Sequence, residues 1–335
     1  MATRSALASD DMLRSSTKVG PCAPDPYRGP ASVTRKVNRE GVVLLGWGRA
    51  ILLQLAHPLV AAAVSGQGGF HGGPLEYVRR MRGTVGAMLA LTFGTHEEIS
   101  RNAARINTIH SRVGGRLTEA AGPYQTGTTY SAGDPELLTW VHATLIQSQL
   151  LTYGLFVGPL TADEKDRYCA EASALGPLLG VPEGWFPSNI VELDAYLATM
   201  QTSGRIVVTE SARRLAKVLL APPGRSLVWP MLALGRLTTV GLLPDVVRRG
   251  YGFTWNARRA RSLQLAATVV QALRRRLPPR LREWPAARRA ARSTQRKSGK
   301  PATKVKQTVG GRRRSVGYAR DRQTLAARLA RKNQS

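Results

Sequence analysis

Apolar side chains recur along most of this chain at intervals of three and four residues, the spacing of one face of an α-helix. The clearest example starts at a capping box, in which Thr95 precedes Glu98 by three positions. We predict a helix from there to the glycine pair at 114–115, since glycine commonly ends helices. Its buried stripe would consist of Ile99, Ala103, Ile106, His110 and Val113.

Two further capping signals predict where helices begin. Asp134 followed by Pro135 is typical of an N-cap with a first-turn proline, and Thr161 with Glu164 forms another capping box. Strand signals are scarce, so we expect a mainly α protein. Further helices are predicted near 74–93, 188–202, 205–220, 226–249 and 254–276.

The longest apolar segment, 41–64, is almost long enough to cross a bilayer. It contains Arg49, Gln54 and His57, which are costly in hydrocarbon, so we favour a buried core helix over a membrane span. Pro58 should end or kink this helix after His57. Two glycines, Gly46 and Gly48, would allow close approach by another helix or by a flat ligand.

Charge divides the chain into regions. The formal net charge is +28, and residues 273–335 hold 21 Lys/Arg against two acids, which leaves about +9 for the rest. We predict an extended N-terminal arm over 1–32, a single multi-helix domain over 33–276, and a disordered basic tail over 277–335. The tail would either contact anionic lipid or nucleic acid without sequence specificity, or be an incidental extension.

The two cysteines, Cys22 and Cys169, belong to no CxxC or CxxCH motif and form no framework of bridges. Covalent haem attachment and a cysteine-rich metal site are therefore not expected. Distant, unpaired cysteines favour a reducing compartment. The first residues lack an apolar signal core, so we expect a cytoplasmic protein, with peripheral membrane attachment as the alternative.

The candidate chemistry lies in one part of the chain, because all five histidines fall between positions 57 and 142: His57, His71, His96, His110 and His142. A lone buried histidine is more often a core residue than a ligand. However, two histidines on separate helices, with Arg80 and Thr84 on a third, could hold an iron porphyrin in a buried pocket between helices. Imidazole would bind the metal and guanidinium the propionates.

The remaining histidines can also be explained by structural or solvent-exposed positions. His57 precedes Pro58 and is as consistent with stabilising a helix kink as with contacting a cofactor. His71 and His96 occupy loop or capping positions, where we expect them to be solvated. His142 is expected to be oriented by polar neighbours on its own helix, namely Thr139, Thr144 and Gln149.

Four segments together resemble a known family. They are GWGRAILLQLAHPLVAAAV, PLEYVRRMRGTVGAMLALTFG, INTIHSRVGG and DPELLTWVHATL. In order and spacing they are similar to the mpaB/rubber-oxygenase catalytic domain, over roughly residues 33–260. That family includes fungal mpaB-type oxygenases, the latex-clearing proteins and many bacterial members. The resemblance implies an all-α fold and a b-type haem that cleaves carbon–carbon double bonds with dioxygen.

The resemblance also implies residue roles. Arg80 and Thr84 match the family's Arg-x-x-x-Thr pair near the haem, and His110 matches the proximal iron ligand. His142 matches the histidine of the WVH block, for which we expect a supporting role. The expected catalytic residues are thus Arg80, Thr84 and His142; the expected cofactor contacts are His110, Arg80, Thr84 and His57.

Two departures from the latex-clearing proteins affect the substrate. Those proteins carry a lysine just before the threonine, where this chain has Gly83, and an upstream glutamate base, for which Glu76 has the wrong spacing. Polyisoprene is therefore a poor candidate. The leading hypothesis is a haem b oxygenase acting with dioxygen on an unsaturated hydrophobic small molecule. The alternative is a non-enzymatic helical protein that binds an apolar ligand or an anionic surface through its tail.

Overall fold

The computed structural model describes Gly29 and residues 31–66, 73–220 and 229–298. Two short 3₁₀ turns occupy Gly41–Gly46 and Pro177–Leu179. The helices are α1 (Val33–Asn38), α2 (Trp47–Leu55), α3 (Pro58–Gly66), α4 (Gly73–Phe93), α5 (His96–His110), α6 (Pro135–Phe156), α7 (Ala162–Ser173), α8 (Ile190–Thr202), α9 (Glu210–Leu220), α10 (Trp229–Leu242), α11 (Asp245–Gly250), α12 (Ala257–Arg276), α13 (Pro279–Arg282) and α14 (Pro285–Ser298).

The predicted helix starts are confirmed by hydrogen bonds. Both capping boxes form, with Thr95 capping α5 and Thr161 capping α7. Asp134 caps α6 by accepting from the backbone N–H of Glu136 at 2.8 Å. The chain is mainly α, as the spacing of its apolar residues predicted.

Several predicted boundaries differ from the structure. The glycine pair at 114–115 does not end α5, which stops at His110; it lies in β1 (Gly114–Arg116), which pairs antiparallel with β2 (Thr129–Ser131). The helix predicted over 226–249 is two helices, α10 and α11. Pro244 separates them, because its ring and missing N–H are incompatible with a helix interior.

The apolar segment 41–64 is folded into the interior. Its first 3₁₀ turn and α2 are followed by α3 at an angle of 104°, and the break lies at His57 and Pro58, as predicted. No single helix among the described residues is long and apolar enough to cross a membrane; the two arms of this bent pair meet that requirement only together. Leu52, Leu53 and Ala56 are almost completely buried.

Helix α6 is the central element of the fold. It packs against α2, against the Gly41–Gly46 turn and against α12, while α10 covers α2 from another side. Gly46 and Gly48 lie at these crossings. A Cβ atom on Gly46 would lie 2.1 Å from Thr152 Oγ1 of α6, and one on Gly48 would lie 2.2 Å from Thr239 Oγ1 of α10. The close approach predicted for these glycines is therefore made by helices.

We expect Gly46→Ala to lower the free energy of unfolding by about 2–3 kcal/mol, as over-packing does in a rigid core. The new methyl group would also lie 2.8 Å from the backbone oxygen of Ser148, which cannot rotate away. Urea unfolding measures the change. The matched control is Gly154→Ala in α6, where a Cβ would meet nothing within 4 Å; greater helix propensity should stabilise it by up to about 1 kcal/mol. Equal effects of the two substitutions would contradict this prediction.

Arg49 joins three of these helices. Its side chain is buried and donates to the Leu242 carbonyl at 2.6 Å, to Ser148 Oγ at 2.7 Å and to Gln147 Oε1 at 2.7 Å. Loss of hydration lowers its pKa to about 10, which leaves the guanidinium charged at neutral pH. Leu242 is the last residue of α10, so the charge also lies at the negative end of that helix. The role of Arg49 is structural.

Ordered helices extend past the predicted domain boundary at 277. Residues 277–298, assigned to the disordered tail by their composition, contain α13 and α14. Ala287 is buried, and the backbone N–H of Trp284 donates to the Arg39 carbonyl at 3.1 Å. These contacts correct the predicted boundary. Residues 299–335, the rest of the predicted tail, and almost all of the predicted arm lie outside the described residues.

A buried carboxylate links this arginine-rich stretch, and α12 before it, to the start of the domain. Glu40 is 1% exposed and accepts from Arg274 Nε at 2.9 Å and Nη2 at 2.7 Å. Arg282 Nη1 lies 3.6 Å from the same carboxylate. These pairs neutralise part of the positive charge, and they connect the first 3₁₀ turn to α12 and α13. Composition alone does not show such a partner, because it lies more than two hundred positions earlier.

Candidate functional site

Helices α4 and α5 form a hairpin that carries three of the predicted site residues. Helix α4 ends at Phe93 and α5 begins at His96, and the two helices pack against each other. Arg80 lies 13 residues before Phe93 (93 − 80), and His110 lies 14 residues after His96 (110 − 96). At equal rise per residue, the backbone places Arg80 and His110 at the same end of the hairpin.

Thr84 follows Arg80 by one helical turn on α4. Its side chain is exposed, whereas that of Arg80 lies outside the described side chains. At the adjacent Gly83 an added Cβ would meet nothing within 4 Å. The position where the latex-clearing proteins carry a lysine is therefore open space among the described residues.

His110 is the last residue of α5 and is half-buried. Burial lowers the pKa of its imidazole below the usual 6.5, which favours the neutral ring. Its Nδ1 is buried without a hydrogen-bond partner among the described residues. One turn earlier, Asn107 donates to the Leu178 carbonyl at 2.9 Å and holds this end of α5 against the Pro177–Leu179 turn. A neutral imidazole is the form that binds metal ions.

His142 lies on α6 with its ring stacked on Phe186, the ring centroids being 3.9 Å apart and the planes inclined by 11°. Burial lowers its pKa to about 4, and a hydrogen bond with the backbone of Ala172 opposes this shift only in part. Its Nε2 is buried and has no partner in the described structure. A histidine that donates from Nδ1 to a backbone carbonyl keeps Nε2 as a lone-pair acceptor.

The polar neighbours predicted to orient His142 do not do so. Thr139 donates to the Pro135 carbonyl and Thr144 to the Trp140 carbonyl, both within α6. Gln149 accepts from Tyr168 instead. Residues on the same helix bond along it or face other elements, and the groups that hold His142 come from α7 and the loop that follows.

His57 is 2% exposed and occupies the break between α2 and α3. Its Nε2 lies 3.1 Å from the hydroxyl of Tyr124, and its Nδ1 is buried without a partner among the described residues. Burial, with a smaller contribution from the charge of Arg205, lowers its pKa to about 4. The His57 carbonyl accepts from the backbone N–H of Ala61. The imidazole is therefore held by Tyr124, while the backbone continues into α3.

Two contacts bring the histidine-bearing elements towards one another. Gln54, one turn before His57, donates to the Val141 carbonyl at 3.2 Å, beside His142 on α6. The 3₁₀ turn that packs on α5 is preceded by Gly176, where a Cβ would lie 3.1 Å from the Phe186 ring. The break after α2, the end of α5 and the middle of α6 thus carry His57, His110 and His142, each with one buried nitrogen that lacks a partner among the described residues.

No group of three or more His, Cys, Asp or Glu side chains converges on a metal-binding point in the described part of the chain. A metal held by side chains alone needs such a cluster. Iron in a porphyrin needs only one or two protein ligands, because the macrocycle supplies four nitrogens. The donor set at His110 therefore fits a haem better than it fits a bare metal ion.

Other candidates fall outside this arrangement. His96 is exposed, in agreement with its predicted solvation, and His71 lies outside the described residues. Cys169 is buried, and loss of hydration raises the pKa of its thiol to about 12, so it does not form a thiolate at neutral pH.

A recess lies along the second half of α4, beginning five residues after Arg80. Its walls come from the first 3₁₀ turn, from α1, from Trp284 and from the second half of α4, including Val85, Met88 and Leu89. None of the candidate histidines lines it. It is a separate apolar feature of the fold.

The sequence did not identify Tyr124 and Phe186 as the residues that contact His57 and His142. Both come from loops without periodic spacing, Tyr124 in the turn-rich segment AGPYQTG and Phe186 after Gly184. Only the folded chain brings these rings onto His57 and His142. An aromatic residue in a loop has no periodic spacing from which its contact in the fold could be predicted.

Two curated mycobacterial proteins are similar to this chain: uncharacterized protein Mb2261 of Mycobacterium bovis and uncharacterized protein Rv2237 of Mycobacterium tuberculosis. Each is 27% identical over 237 residues, which cover 69% of this chain and 88% of the relative. No solved structure gives a significant match.

A family model matches across most of the helical region. Its description is ER-bound oxygenase mpaB/B'/Rubber oxygenase, catalytic domain, and the match covers residues 34–272. It contains α4, α5 and α6, and with them all the candidate residues described above. The chain therefore belongs to the mpaB/rubber-oxygenase family, through an oxygenase catalytic domain that accounts for most of its length.

Proposed function

We propose that this protein is a haem b-dependent oxygenase that acts with dioxygen on an unsaturated hydrophobic small molecule. The observation that carries the proposal is the position of His110. A neutral, half-buried imidazole lies at the same end of the α4–α5 hairpin as Arg80, in a domain of an oxygenase family. When bound, the haem iron would supply the chemistry that activates dioxygen.

Each residue would contribute through its own chemistry. His110 would ligate the iron through its neutral imidazole, since burial disfavours the protonated form that cannot bind a metal. Arg80 would pair with a propionate carboxylate, for which a guanidinium is well suited. Thr84, one turn further along α4, offers a hydroxyl that both donates and accepts a hydrogen bond.

His142 would act as a hydrogen-bond acceptor rather than as a base. Its pKa of about 4 makes it a weak base at neutral pH, where efficient proton transfer requires a pKa close to 7. The buried Nε2 can nevertheless accept a hydrogen bond, and stacking on Phe186 fixes the plane of the ring. His57 is held by Tyr124 in a comparable way, and we assign it a supporting position beside the cofactor.

An absorbance spectrum of the full chain after incubation with haemin tests the cofactor. We expect a Soret band that shifts on reduction with dithionite. His110→Ala should lose this band, whereas His57→Ala should keep it, because only His110 ligates the iron. Arg80→Ala should weaken haem retention by about tenfold, the equivalent of a charge-assisted contact worth roughly 1.4 kcal/mol.

The matched control for Arg80→Ala is Arg82→Ala, an exposed arginine two positions along the same helix. It should retain haem as the wild type does. Folded wild-type protein that takes up no haemin would refute the cofactor assignment, and His110→Ala with an unchanged spectrum would refute the ligand.

Oxygen consumption separates an oxygenase from a non-enzymatic binding protein. The haem-loaded chain should consume dioxygen in the presence of an unsaturated probe such as oleic acid and not in the presence of stearic acid. A haem-loaded chain that consumes none with any unsaturated lipid would favour the binding alternative. Gly83, which leaves open space where the latex-clearing proteins carry a lysine, argues against polyisoprene as the substrate.

A further inference from the structure

Helix α12 carries a row of apolar side chains that faces away from the core. Four residues spaced by four positions, three in α12 and the last at its C-cap, are 38–67% exposed, and they define what we call the α12 stripe: Leu265, Val269, Leu273 and Leu277. Leu263 and Ala267, on the opposite side of the helix, are buried against the domain. Four-residue spacing places the members of the stripe on one face. Contiguous exposed apolar surface of this kind marks an interaction site.

Arginines surround the stripe. Arg258 and Arg276 lie at its two ends, and Arg261 and Arg275 lie beside it, all four exposed. Residues 257–282 contain eight arginines and no Asp or Glu. Leu281 of α13, 67% exposed, continues the apolar surface, with exposed Arg280 next to it. The partner of this face must therefore be apolar inside and negatively charged at its edge.

We propose that the α12 stripe docks on the surface of an anionic lipid bilayer. Helices that lie in the membrane interface bury leucines at the boundary with the acyl chains and place arginines at the lipid phosphates. Each Lys or Arg near an anionic membrane contributes about 1 kcal/mol of attraction, screened by salt. A bilayer supplies both the apolar phase and the negative charge that this face requires.

Other binding partners fit the α12 stripe and the arginines around it less well. A second copy of the chain would bring Arg258 and Arg276 against like charges. Residues 299–335 carry eleven Lys/Arg and one acid, Asp321, so this segment would also be repelled. A nucleic acid would satisfy the arginines but would leave the leucines without an apolar partner.

Vesicle sedimentation of the full chain tests the proposal. We expect the protein to bind vesicles made of equal parts phosphatidylcholine and phosphatidylserine, and to bind pure phosphatidylcholine much less. The double variant Leu265→Ser/Leu273→Ser should weaken binding to the anionic vesicles by at least about tenfold, since each leucine gains roughly 1.5 kcal/mol or more on full burial. It keeps every positive charge of the chain. The matched control is Val191→Ser in α8, 74% exposed, which should bind as the wild type does.

A second variant gives a direct signal of insertion. Leu265→Trp should add emission that shifts to the blue with anionic vesicles, whereas Val191→Trp should not. Equal binding of the double variant and the wild type would assign binding to charge alone and overturn the proposal. So would binding to duplex DNA without binding to vesicles, or a wild-type dimer that the double variant converts to monomer. None of these measurements depends on haem, so the proposed enzyme function is tested separately.

Discussion

Glu40→Ala is expected to lower the free energy of unfolding by about 3–5 kcal/mol, the cost of removing one partner from a buried ion pair. Glu40 is 1% exposed, and its carboxylate accepts both hydrogen bonds of a bidentate contact with Arg274. The same contact raises the pKa of Arg274 above its usual value. Without the carboxylate, Arg274 and Arg282 would lose the buried counter-charge that they share.

Urea unfolding of the full chain measures this effect. The matched control is Glu97→Ala, because Glu97 pairs with Arg101 at 2.6 Å and the two side chains are 77% and 65% exposed. That substitution should lower the free energy of unfolding by no more than about 1 kcal/mol, because an exposed ion pair contributes little to stability. The double variant Glu40→Met/Arg274→Met should recover part of the loss, since an apolar pair removes the unpaired charge. If the free energy of unfolding of Glu40→Ala lies within about 1 kcal/mol of the wild-type value, the buried pair does not hold α12 and α13 in place.

Acid should destabilise the protein between about pH 6.5 and pH 4. The folded state lowers the pKa of both His57 and His142 from 6.5 to about 4. Within that window the unfolded chain binds protons that the folded chain does not, so stability is complete above pH 6.5 and falls as the pH falls towards 4. Each histidine accounts for up to about 3 kcal/mol of this loss of stability, since one pKa unit corresponds to about 1.4 kcal/mol.

Unfolding free energies at several pH values test this dependence. Removing one histidine should reduce the slope in this window by about 1.4 kcal/mol per pH unit at most. His57→Gln is the informative variant, because glutamine keeps polar atoms near Tyr124 without titrating. His96→Gln is the control, since His96 is exposed. A slope that is the same for His57→Gln and the wild type would contradict this prediction, since it would mean that His57 binds its proton at the same pH in the folded and the unfolded chain.

Much of the architecture follows from local chemistry. Thr95, Asp134 and Thr161 cap helices where their hydroxyl or carboxylate oxygen meets a free backbone N–H, and each requires only neighbours within three residues. Pro58 breaks the apolar segment for an equally local reason. These interactions are encoded within one helical turn, so they could be predicted without knowledge of the fold.

The surroundings of the candidate site could not be predicted in that way. The neighbours assigned to His142 on its own helix bond elsewhere, while Phe186 and Ala172 hold the ring. Tyr124 contacts His57 from a position 67 residues away. The predicted tail boundary was placed too early because the counter-charge of Arg282 is Glu40, 242 positions before it (282 − 40).

The sequence by itself determined the helical class, the main helix starts, the family and the residues to consider as a haem site, because these depend on spacing and local order. Only the tertiary structure decided which imidazole nitrogens are buried without partners, which glycines lie at helix crossings, and which leucines of α12 remain exposed. The physical reason is burial. Whether a polar atom has a partner, or an apolar face has a cover, depends on distant segments that only the folded chain brings together.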